Sequence, residues 1–497
     1  MGLSNDPRLE FHDIQGLVQR GYKELPAAEY ILLKVTDAKR ARAWLSRLAD
    51  RIEPATAPGR DKRDRTSALH IAFTWEGLRA LGLNQDILSQ FPRAFREGMA
   101  TVHRERLLGD RGASSAANWH WGSAPCRENG NGEERWHTDL HLHLAVLVYA
   151  KDDLILRRTK DSVLAELETI RLQKITTLDT VFLAGPERDP TGSPNGPKEH
   201  FGFRDGIAQP HIAGMPPPED GQAIPENAIA TGEVLLGYAN AYREMPEGPT
   251  DANGRGFGRN GTFLVFRQLH QDVAGFWSYV ARQAAAKGGS AVELAAKMVG
   301  RWPDGTPLVE SPTGPQTALQ TQNRFVYAGH EPHPDRFGFR CPIGSHIRRT
   351  NPRDSPRDPS DDNPKKSLEL ANQHRIVRRG RSYGKPLVPD MDPTKLMAST
   401  NDGAERGLHF ICLNAAIDRQ FEFIQNLWAN NPKFGGLYDD PDPLIGVLDG
   451  ERATFTVQQE PVRCTYSDMP RFVQVRGGAY FFLPGIAAIR TLAGLSG

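Results

Sequence analysis

The sequence predicts an α+β fold that consists of two ferredoxin-like units, each with an antiparallel sheet and peripheral helices. Segments rich in aliphatic and β-branched residues alternate with segments of helical spacing in the order strand, helix, strand, strand, helix, strand. This is the order of elements in a ferredoxin-like unit. After a loop-rich bridge at about 186–232 a similar order returns, so the pattern predicts a duplication.

The first unit is expected at residues 1–190. Its opening strand is EYILLKVT at 29–36, and Asp37 caps a helical pattern that ends at residue 52. The remaining elements are predicted as strands at 67–74, 139–150 and 177–185, and as helices at 75–83 and 152–172. An excursion at 104–136 interrupts this order and makes the unit longer than its elements require.

The second unit is expected at residues 191–497. Its predicted elements are strands at 234–240, 261–269, 407–414 and 471–485, and helices at about 270–286 and 418–431. Residues 301–366 are rich in Pro, Arg and Asp and show little periodicity. They predict long irregular excursions rather than a third domain.

Composition argues against several classes of protein. With 61 basic and 60 acidic residues the formal charge is +1, so the chain has no electrostatic footprint for nucleic acid or an anionic membrane. Its four cysteines are scattered, which argues against a thiolate metal site and a disulfide-rich secreted scaffold. No apolar segment approaches the length that crosses a bilayer. We therefore expect a cytoplasmic protein whose partners are small molecules.

Two patterns that resemble known sites are weaker than they first look. His137, His141 and His143 suggest a metal cluster, but in the strand expected at 139–150 the last two share one polar face. Because a closed set of ligands is missing, a polar strand face is the favoured interpretation. GFGRNG at 256–261 matches a phosphate-binding motif but precedes a strand instead of a helix, and we discard it.

The loop HFGFRDGIAQPHI at 200–212 holds a carboxylate between two glycines. Gly202 and Gly206 permit backbone angles and close approaches that a side chain would forbid, so the loop can press Asp205 against a flat or bulky group. The simpler interpretation is a turn in which Asp205 caps a backbone N–H or pairs with Arg204. The loop alone favours the turn.

His346 lies in CPIGSHIRRTNPRD at 341–354, after small residues and before two arginines, of which Arg348 is the first. An axial ligand of haem needs this arrangement, because the macrocycle requires space and its propionates require cations. A histidine with ordinary hydrogen bonds near a basic surface is the alternative. In HRIVRRGRSYG at 374–384, Arg378 lies at a strand end and either projects into a site or belongs to a charged surface.

Together these segments resemble the dye-decolourising peroxidases. GFRDG at 202–206 resembles the family's G-x-x-D-G motif, GSHIRRTNPR at 344–353 resembles the segment of the haem-ligating histidine, and RIVRRGRSYG at 375–384 resembles that of the distal arginine. The resemblance extends to DIQGLVQRGYKELPAAEYILLKV, GTFLVFRQL and RGGAYFFLPG, and covers nearly the whole chain in order. It implies two ferredoxin-like halves with the haem in the C-terminal one.

The resemblance also implies roles for individual side chains. His346 would be the axial ligand of the haem iron, Asp205 the distal acid and base, and Arg378 the group that stabilises negative charge on the departing oxygen. The second ring nitrogen of His346 requires an acceptor, and Asp418 is the candidate. A helix N-cap is an equally good interpretation of Asp418.

The implied function is a peroxidase with one haem b per chain, which reduces hydrogen peroxide and oxidises small organic reductants such as dyes and phenolics. Gly202 and Gly206 would let the loop approach the macrocycle, and Arg348 would bind a propionate. Leu408 and Phe410 would line the distal pocket, although core packing explains them as well. The alternative is a haem carrier or iron-release protein without sustained turnover. Assembly into a homo-oligomer is left open.

Overall fold

The structure, a computed structural model, describes residues 9–57, 65–127, 134–170, 172–183, 197–216, 228–355, 364–447 and 453–494. The boundary expected between residues 190 and 191 lies outside these ranges. Among the described helices, none combines the length and the apolar character that crossing a membrane requires.

The first unit contains the predicted succession of elements. Its strands are β1 (Ala27–Val35), β2 (Ser67–Phe73), β3 (Ser123–Arg127), β4 (Glu134–Thr138), β5 (Leu144–Ala150) and β6 (Leu172–Asp179). Its helices are α1 (Ala38–Ala49), α2 (Trp75–Ala80), α3 (Gln85–Ser89), α4 (Arg93–Glu97), α5 (Val102–Leu108) and α6 (Asp153–Ile170). Asp37 caps α1 as expected, since its Oδ1 accepts a hydrogen bond from the Arg40 N–H at 3.1 Å.

The second unit has longer connections between its elements. Its strands are β7 (His211–Ile212), β8 (Ala228–Ile229), β9 (Thr262–Gln271), β10 (Val377–Arg378), β11 (Arg381–Tyr383), β12 (Gly407–Asn414), β13 (Phe455–Val457), β14 (Cys464–Tyr466) and β15 (Val473–Leu483). Its helices are α7 (Val273–Lys287), α8 (Ala291–Val299), α9 (His346–Thr350), α10 (Pro364–Asn372), α11 (Pro393–Met397) and α12 (Ile486–Leu492). Between α11 and α12 the chain forms a π-helical segment, Asp418–Glu422 and Ile424–Ala429.

The main strands of both units join in one nine-stranded antiparallel sheet. The order is β6-β1-β5-β2 in the first unit and β15-β9-β12-β10 in the second, with β11 also beside β12. When the strands are counted within each unit, both halves have the order fourth, first, third, second. The predicted pair of ferredoxin-like units is confirmed, and the pairing of Phe73 with Phe482 makes their sheets continuous.

Three predicted strands differ from the structure. The strand expected at 139–150 begins only with β5, because the backbone turns just before it. The strand expected at 177–185 corresponds to β6, which begins and ends several residues earlier. Residues 234–240 form turns instead of a strand, since Gly237 has a φ of 83° and its Cα approaches the carbonyl oxygen of Gly254 too closely for a side chain.

His141 and His143 lie in that turn and not on the expected strand face, whereas His137 lies in β4. His143 uses both ring nitrogens on the backbone, one with the Val35 N–H at 2.9 Å and one with the Leu140 carbonyl oxygen at 2.9 Å. His143 therefore joins β1 to the turn. No group of three His, Cys, Asp or Glu residues within the described ranges is arranged to hold a metal ion.

One face of the sheet carries both a hydrophobic core and the site. Helices α1, α6 and α12 pack on this face with side chains such as Trp44, Val163 and Ile489. Because side chains alternate along a strand, Arg267 and Leu269 of β9 point to the same side as Phe263 and Val265, which belong to this core. The second-unit half of the face is therefore open to a separate layer of polar and apolar side chains.

Candidate active site

A cavity lies on this half of the face, between β9 and β12 on one side and α9 and the π-helical segment on the other. Its volume of about 280 Å³ is close to the lower end of the range for small-molecule sites. Asp205, His346 and Arg378, which the sequence singled out in three separate segments, all line it. The fold therefore brings the three candidate residues together.

His346 is the first residue of α9, and its side chain keeps 25% of its surface exposed. Its Nδ1 lies 2.9 Å from Asp442 Oδ2 and 3.2 Å from Asp442 Oδ1. A carboxylate at this distance accepts the Nδ1 proton, so the lone pair of the ring remains on Nε2. Among the described residues Nε2 has no hydrogen-bond partner, and it is free to bind a metal from the cavity side.

Asp442 is fully buried and is held from several directions. Its Oδ1 also accepts hydrogen bonds from the backbone N–H groups of Leu444 at 2.9 Å and Ile445 at 3.0 Å. Burial favours the neutral acid, but His346, the Ile445 N–H and Arg349 outweigh it and hold the pKa of Asp442 below its usual value. Asp442 is therefore an ionised acceptor that fixes the imidazole.

Asp418, expected in this role, does not contact His346. It is exposed at the start of the π-helical segment, and its Oδ1 accepts a hydrogen bond from the Arg419 N–H at 2.8 Å. Asp418, the first residue of that segment, faces solvent. The last residue, Ala429, contacts the loop of Asp442, because its carbonyl oxygen accepts a hydrogen bond from the Asp442 N–H at 2.8 Å. The acceptor for the His346 ring is therefore Asp442, which lies 24 residues after Asp418.

Asp205 and Arg378 form an ion pair on the sheet side of the cavity, since Arg378 belongs to β10, whereas His346 belongs to α9. Arg378 Nη1 lies 3.0 Å from Asp205 Oδ1, which also accepts the Gly206 N–H at 2.6 Å, and both side chains are 34% exposed. Burial alone would raise the pKa of Asp205, but Arg378, the Gly206 N–H and Lys23 outweigh it and lower the pKa. Asp205 Oδ2 has no partner among the described residues, so one ionised oxygen is available to a small molecule.

The loop that carries Asp205 needs its glycines for its own shape. Gly202 has a φ of 93°, and a Cβ there would lie 2.8 Å from the Met391 carbonyl oxygen; Gly206 has a φ of 76°. Neither glycine lines the cavity, and their approach to the macrocycle stays a prediction. They position Asp205 by allowing the turn.

Glu199 braces the same loop and was missed in the sequence. Its carboxylate accepts hydrogen bonds from the N–H groups of Phe201 and Phe203, each at 2.9 Å, and from Gln271 Nε2 at 2.6 Å. Burial raises its pKa to about 7 in spite of these donors, and nearby Asp205 adds to the rise. The only signal in the sequence was an acid close before GFRDG.

Leu408 and Phe410 lie on one face of β12 and line the cavity, as expected. Phe410 also packs at the edge of the hydrophobic core, and its ring centroid lies 6.2 Å from that of Phe421. Phe410 therefore both lines the cavity and packs against the hydrophobic core, so the two interpretations given for it hold together.

A group of arginines forms another part of the cavity wall. Arg375 is only 4% exposed, and neither of its Nη atoms has a hydrogen-bond partner among the described residues. The same is true of Nη2 of Arg301, which is also buried. Burial, together with nearby Arg353, lowers the pKa of Arg375 and of Arg301 to about 9. Buried cations that no anion neutralises would suit a cofactor with carboxylate groups, such as haem with its two propionates.

Arg348, expected to bind a propionate, does not line the cavity. Its side chain is 1% exposed and donates to Asp335 Oδ2 at 2.9 Å and to the Cys341 carbonyl oxygen at 2.5 Å. It also lies over the ring of Tyr327 at 4.4 Å. Because these contacts turn Arg348 away from the cavity, this arginine supports the surrounding loops.

The first unit also contributes to the cavity, although the sequence placed the site in the second unit. Helix α5 ends at Gly109, whose φ of 76° turns the chain so that Asp110 meets Arg267 of β9 in a buried ion pair. Leu108 and Ser114 line the cavity beside them. Residues 108–114, near the start of the excursion expected at 104–136, therefore contribute to the cavity wall.

No family model matches this chain. It is 31% identical over 506 residues to Peroxidase 2 of Mycetinis scorodonius, an alignment that covers 97% of this chain and 87% of that protein. It is 31% identical over 445 residues to a dye-decolorizing peroxidase of Auricularia auricula-judae, with 85% and 75% covered. The crystal structure of a fungal DyP-type peroxidase from the same fungus matches with a TM-score of 0.77 at 26% identity, over 98% of this chain and 100% of that one.

Identity at this level over most of both chains, with the same fold over nearly the full length, is specific to one family. The cavity contains the motifs on which the resemblance was based, in the second unit of the expected fold. The protein belongs to the dye-decolourising peroxidases, which are haem-dependent oxidoreductases that act on peroxide.

Proposed function

We propose that this protein binds one haem b per chain, reduces hydrogen peroxide and oxidises small organic reductants such as dyes and phenolics. The observation that carries the proposal is the arrangement of a single cavity. On one wall His346 is oriented by buried Asp442, and on the opposite wall Asp205 is ionised beside Arg378. A metal ligand facing a base and a cation is what heterolysis of a peroxide requires.

His346 is the residue that would hold the haem iron. The hydrogen bond from Nδ1 to Asp442 selects the tautomer whose Nε2 can bind a metal, and the negative carboxylate makes the imidazole a stronger donor. The fully buried position of Asp442 keeps this hydrogen bond from competing with water. The ring is thus held in one orientation before the cofactor binds.

Arg375 and Arg301 are the proposed partners of the haem propionates. Both are buried at the cavity and have guanidinium N–H groups without an acceptor among the described residues. Because an unpaired buried cation is costly, a bound carboxylate would stabilise the protein as well as hold the cofactor. This assignment replaces Arg348, whose hydrogen bonds are already made.

Haem bound in the cavity supplies the iron and the electrons for cleavage of the O–O bond. Asp205 would accept a proton from one oxygen of hydrogen peroxide and return it to the other, for which its free Oδ2 is suited. Arg378 stabilises negative charge on the departing oxygen and stays protonated throughout. Leu408 and Phe410 limit the water that reaches this wall. Turnover then requires two electrons from reductants.

The proposal is tested by the absorption spectrum of the purified protein. We expect a haem spectrum, a rapid shift of the Soret band on addition of one equivalent of hydrogen peroxide, and return to the resting spectrum when a phenol is added. A haem carrier would bind the cofactor but would not repeat this cycle. A protein without haem after expression in haem-supplemented cells would contradict the proposal. The cytoplasmic location and the oligomeric state remain predictions.

A further inference from the structure

The end of the cavity formed by the first unit has its own polar pair. Asp110 and Arg267 are 3% and 4% exposed, both line the cavity, and Arg267 Nη2 donates to Asp110 Oδ1. Asp110 comes from the loop after α5 and Arg267 from β9, so each unit supplies one partner. This pair is separate from Asp205, which lies in the loop that contains GFRDG, and from Arg378 of β10.

Each partner of this pair keeps one polar atom unsatisfied. Asp110 Oδ2 and Arg267 Nε have no hydrogen-bond partner in the part of the chain that the structure describes. An unsatisfied buried polar atom is costly, and such atoms at a cavity wall indicate a ligand that completes them. Here one acceptor and one donor lie side by side in the same ion pair, and both are closed to water, so a ligand that reaches them must displace neighbouring side-chain atoms.

The chemistry of this end differs from that of the arginine group. Arg375 and Arg301 carry positive charge that no nearby anion balances, so they suit carboxylates, whereas Asp110 and Arg267 neutralise each other. A neutral group that both donates and accepts a hydrogen bond fits the pair. The surrounding side chains include Leu108, Val475 and Phe421, and the Arg267 guanidinium lies 5.9 Å from the Phe421 ring centroid. An aromatic ring suits these neighbours.

We propose that Asp110 and Arg267 bind the hydroxyl group of a phenolic reductant in the cavity. The phenol O–H donates to Asp110 Oδ2, and the phenol oxygen accepts from the Arg267 Nε–H. This inference rests on the proposed peroxidase function, because it assigns the place where a small reductant delivers its electron. It applies to phenols small enough to enter, not to bulky dyes.

The electron and the proton of the phenol take different routes. One phenol gives one electron to the enzyme, which holds two oxidising equivalents after it has reduced peroxide, and its hydroxyl proton passes to Asp110 Oδ2. The products are a phenoxyl radical and a protonated Asp110, whose proton passes through water and is consumed in the second water that the peroxide yields. A second phenol repeats the step, so that one hydrogen peroxide and two phenols give two waters and two phenoxyl radicals. Burial raises the pKa of Asp110 in spite of Arg267, which favours this transfer.

The first test compares two probes on the unaltered holoenzyme in the absence of peroxide. Phenol and methoxybenzene have similar rings, but only phenol can donate a hydrogen bond to Asp110. We expect phenol to bind roughly 10- to 100-fold more tightly, the factor for one hydrogen bond to a charged group, as measured by equilibrium dialysis. Equal binding of the two probes would overturn the inference.

The second test uses the double variant Asp110→Asn/Arg267→Met, which removes both charges and leaves no buried ion unpaired. Glu422→Gln is the matched control, because Glu422 pairs with buried Arg104 next to Phe421 but does not line the cavity. We expect the double variant to raise the KM for phenol roughly 10- to 100-fold relative to the KM for ferrocyanide, a donor without a proton. The control should leave this ratio unchanged.

An unchanged ratio in the double variant would overturn the inference. If the unaltered protein oxidises neither phenol nor ferrocyanide with peroxide, the proposed peroxidase function fails and not only the reductant site. If the double variant loses its haem, the comparison of phenol with methoxybenzene on the unaltered protein decides the question alone.

Discussion

The two walls of the cavity are built in opposite ways. The proximal wall, His346 with Asp442, has a fully buried carboxylate that accepts the imidazole proton and two backbone N–H groups. The distal wall, Asp205 with Arg378, has two side chains that are each 34% exposed, and one carboxylate oxygen without a partner in the described ranges. The carboxylate of the proximal wall uses both of its oxygens in buried hydrogen bonds, whereas the carboxylate of the distal wall keeps one oxygen free.

The difference follows from what each wall has to do. A metal ligand works best when its ring cannot rotate, and buried hydrogen bonds supply that restraint because water cannot replace them. A base that moves protons needs an oxygen that a small molecule can reach and a pKa below the working pH. Arg378 lowers the pKa of Asp205 without covering Oδ2. Changes on the two walls should therefore have separable effects on haem binding and on peroxide reaction.

The largest expected effect is that of His346→Ala. Without the imidazole, the proximal wall keeps Asp442 but offers no nitrogen to the iron, so the protein should lose its haem or hold it with weak, mixed ligation. The haem content of the purified variant and its absorption spectrum measure this. Full occupancy with the spectrum and activity of the unaltered protein would place the ligand elsewhere.

Asp205→Asn should come next, with a loss in the rate of reaction with peroxide of about 10² to 10⁴-fold. The amide keeps the shape of the side chain and removes the base, while the proximal wall is untouched. Stopped-flow absorption with haem-loaded protein gives the rate. An Asp205→Asn variant that reacts as fast as the unaltered enzyme would show that another group moves the proton.

Arg378→Leu should lower the same rate by roughly 10² to 10³-fold, because charge on the departing oxygen loses its partner. It should also change the pH profile in a defined direction. Asp205 must be ionised to act, so the rate falls as the pH drops through its pKa. Arg378 lowers this pKa, and its removal raises it, so the acidic limb should move to higher pH. A limb that stays in place would mean that Arg378 does not act on Asp205.

Asp442→Asn should have a smaller effect, of about 10 to 100-fold, and on haem affinity more than on the distal chemistry. The amide can still accept the Nδ1 hydrogen bond but lacks the charge that strengthens His346. Asp418→Asn is the matched control, because Asp418 is exposed and, within the described ranges, its side chain accepts a hydrogen bond only from the N–H of its neighbour Arg419. We expect its free energy of unfolding to stay within about 0.5 kcal/mol and its haem affinity to be unchanged. A loss of haem affinity in Asp418→Asn and none in Asp442→Asn would show that Asp418, and not Asp442, orients His346.

The turn that presents Asp205 could be predicted from the sequence because its constraint is local, whereas Arg378, 173 positions away, was placed beside it only by the family resemblance. The turn that presents Asp205 needs a glycine at Gly202, where φ is 93°, and this requirement is visible as GFRDG. The proximal acid was missed for the opposite reason. Asp442 meets His346 across 96 positions, and among 60 acidic residues nothing near it marks it as the partner. The chosen Asp418 starts the right helical segment, whose other end contacts the loop of Asp442.

The fold shows the same division between local and distant information. The order of elements predicted both ferredoxin-like units, because each strand and helix has its own hydrophobic period. The two sheets join through Phe73 and Phe482, and Asp110 of the first unit lines the cavity. Both features depend on contacts between the units, which the hydrophobic period of a single segment does not reveal. Residues 234–240 were expected as a strand because they are apolar, yet they are buried in turns.

The separation of the two walls is tested most directly by two rates measured on the same pair of variants. For haem-loaded Asp205→Asn and Asp442→Asn, one measures the reaction with one equivalent of hydrogen peroxide and the transfer of haem to apomyoglobin. We predict that Asp205→Asn reacts at least about 10²-fold more slowly but releases haem at the unaltered rate. Asp442→Asn should release haem about 10 to 100-fold faster. Variants that change both rates by equal factors would contradict the assignment of ligand orientation to one wall and proton transfer to the other.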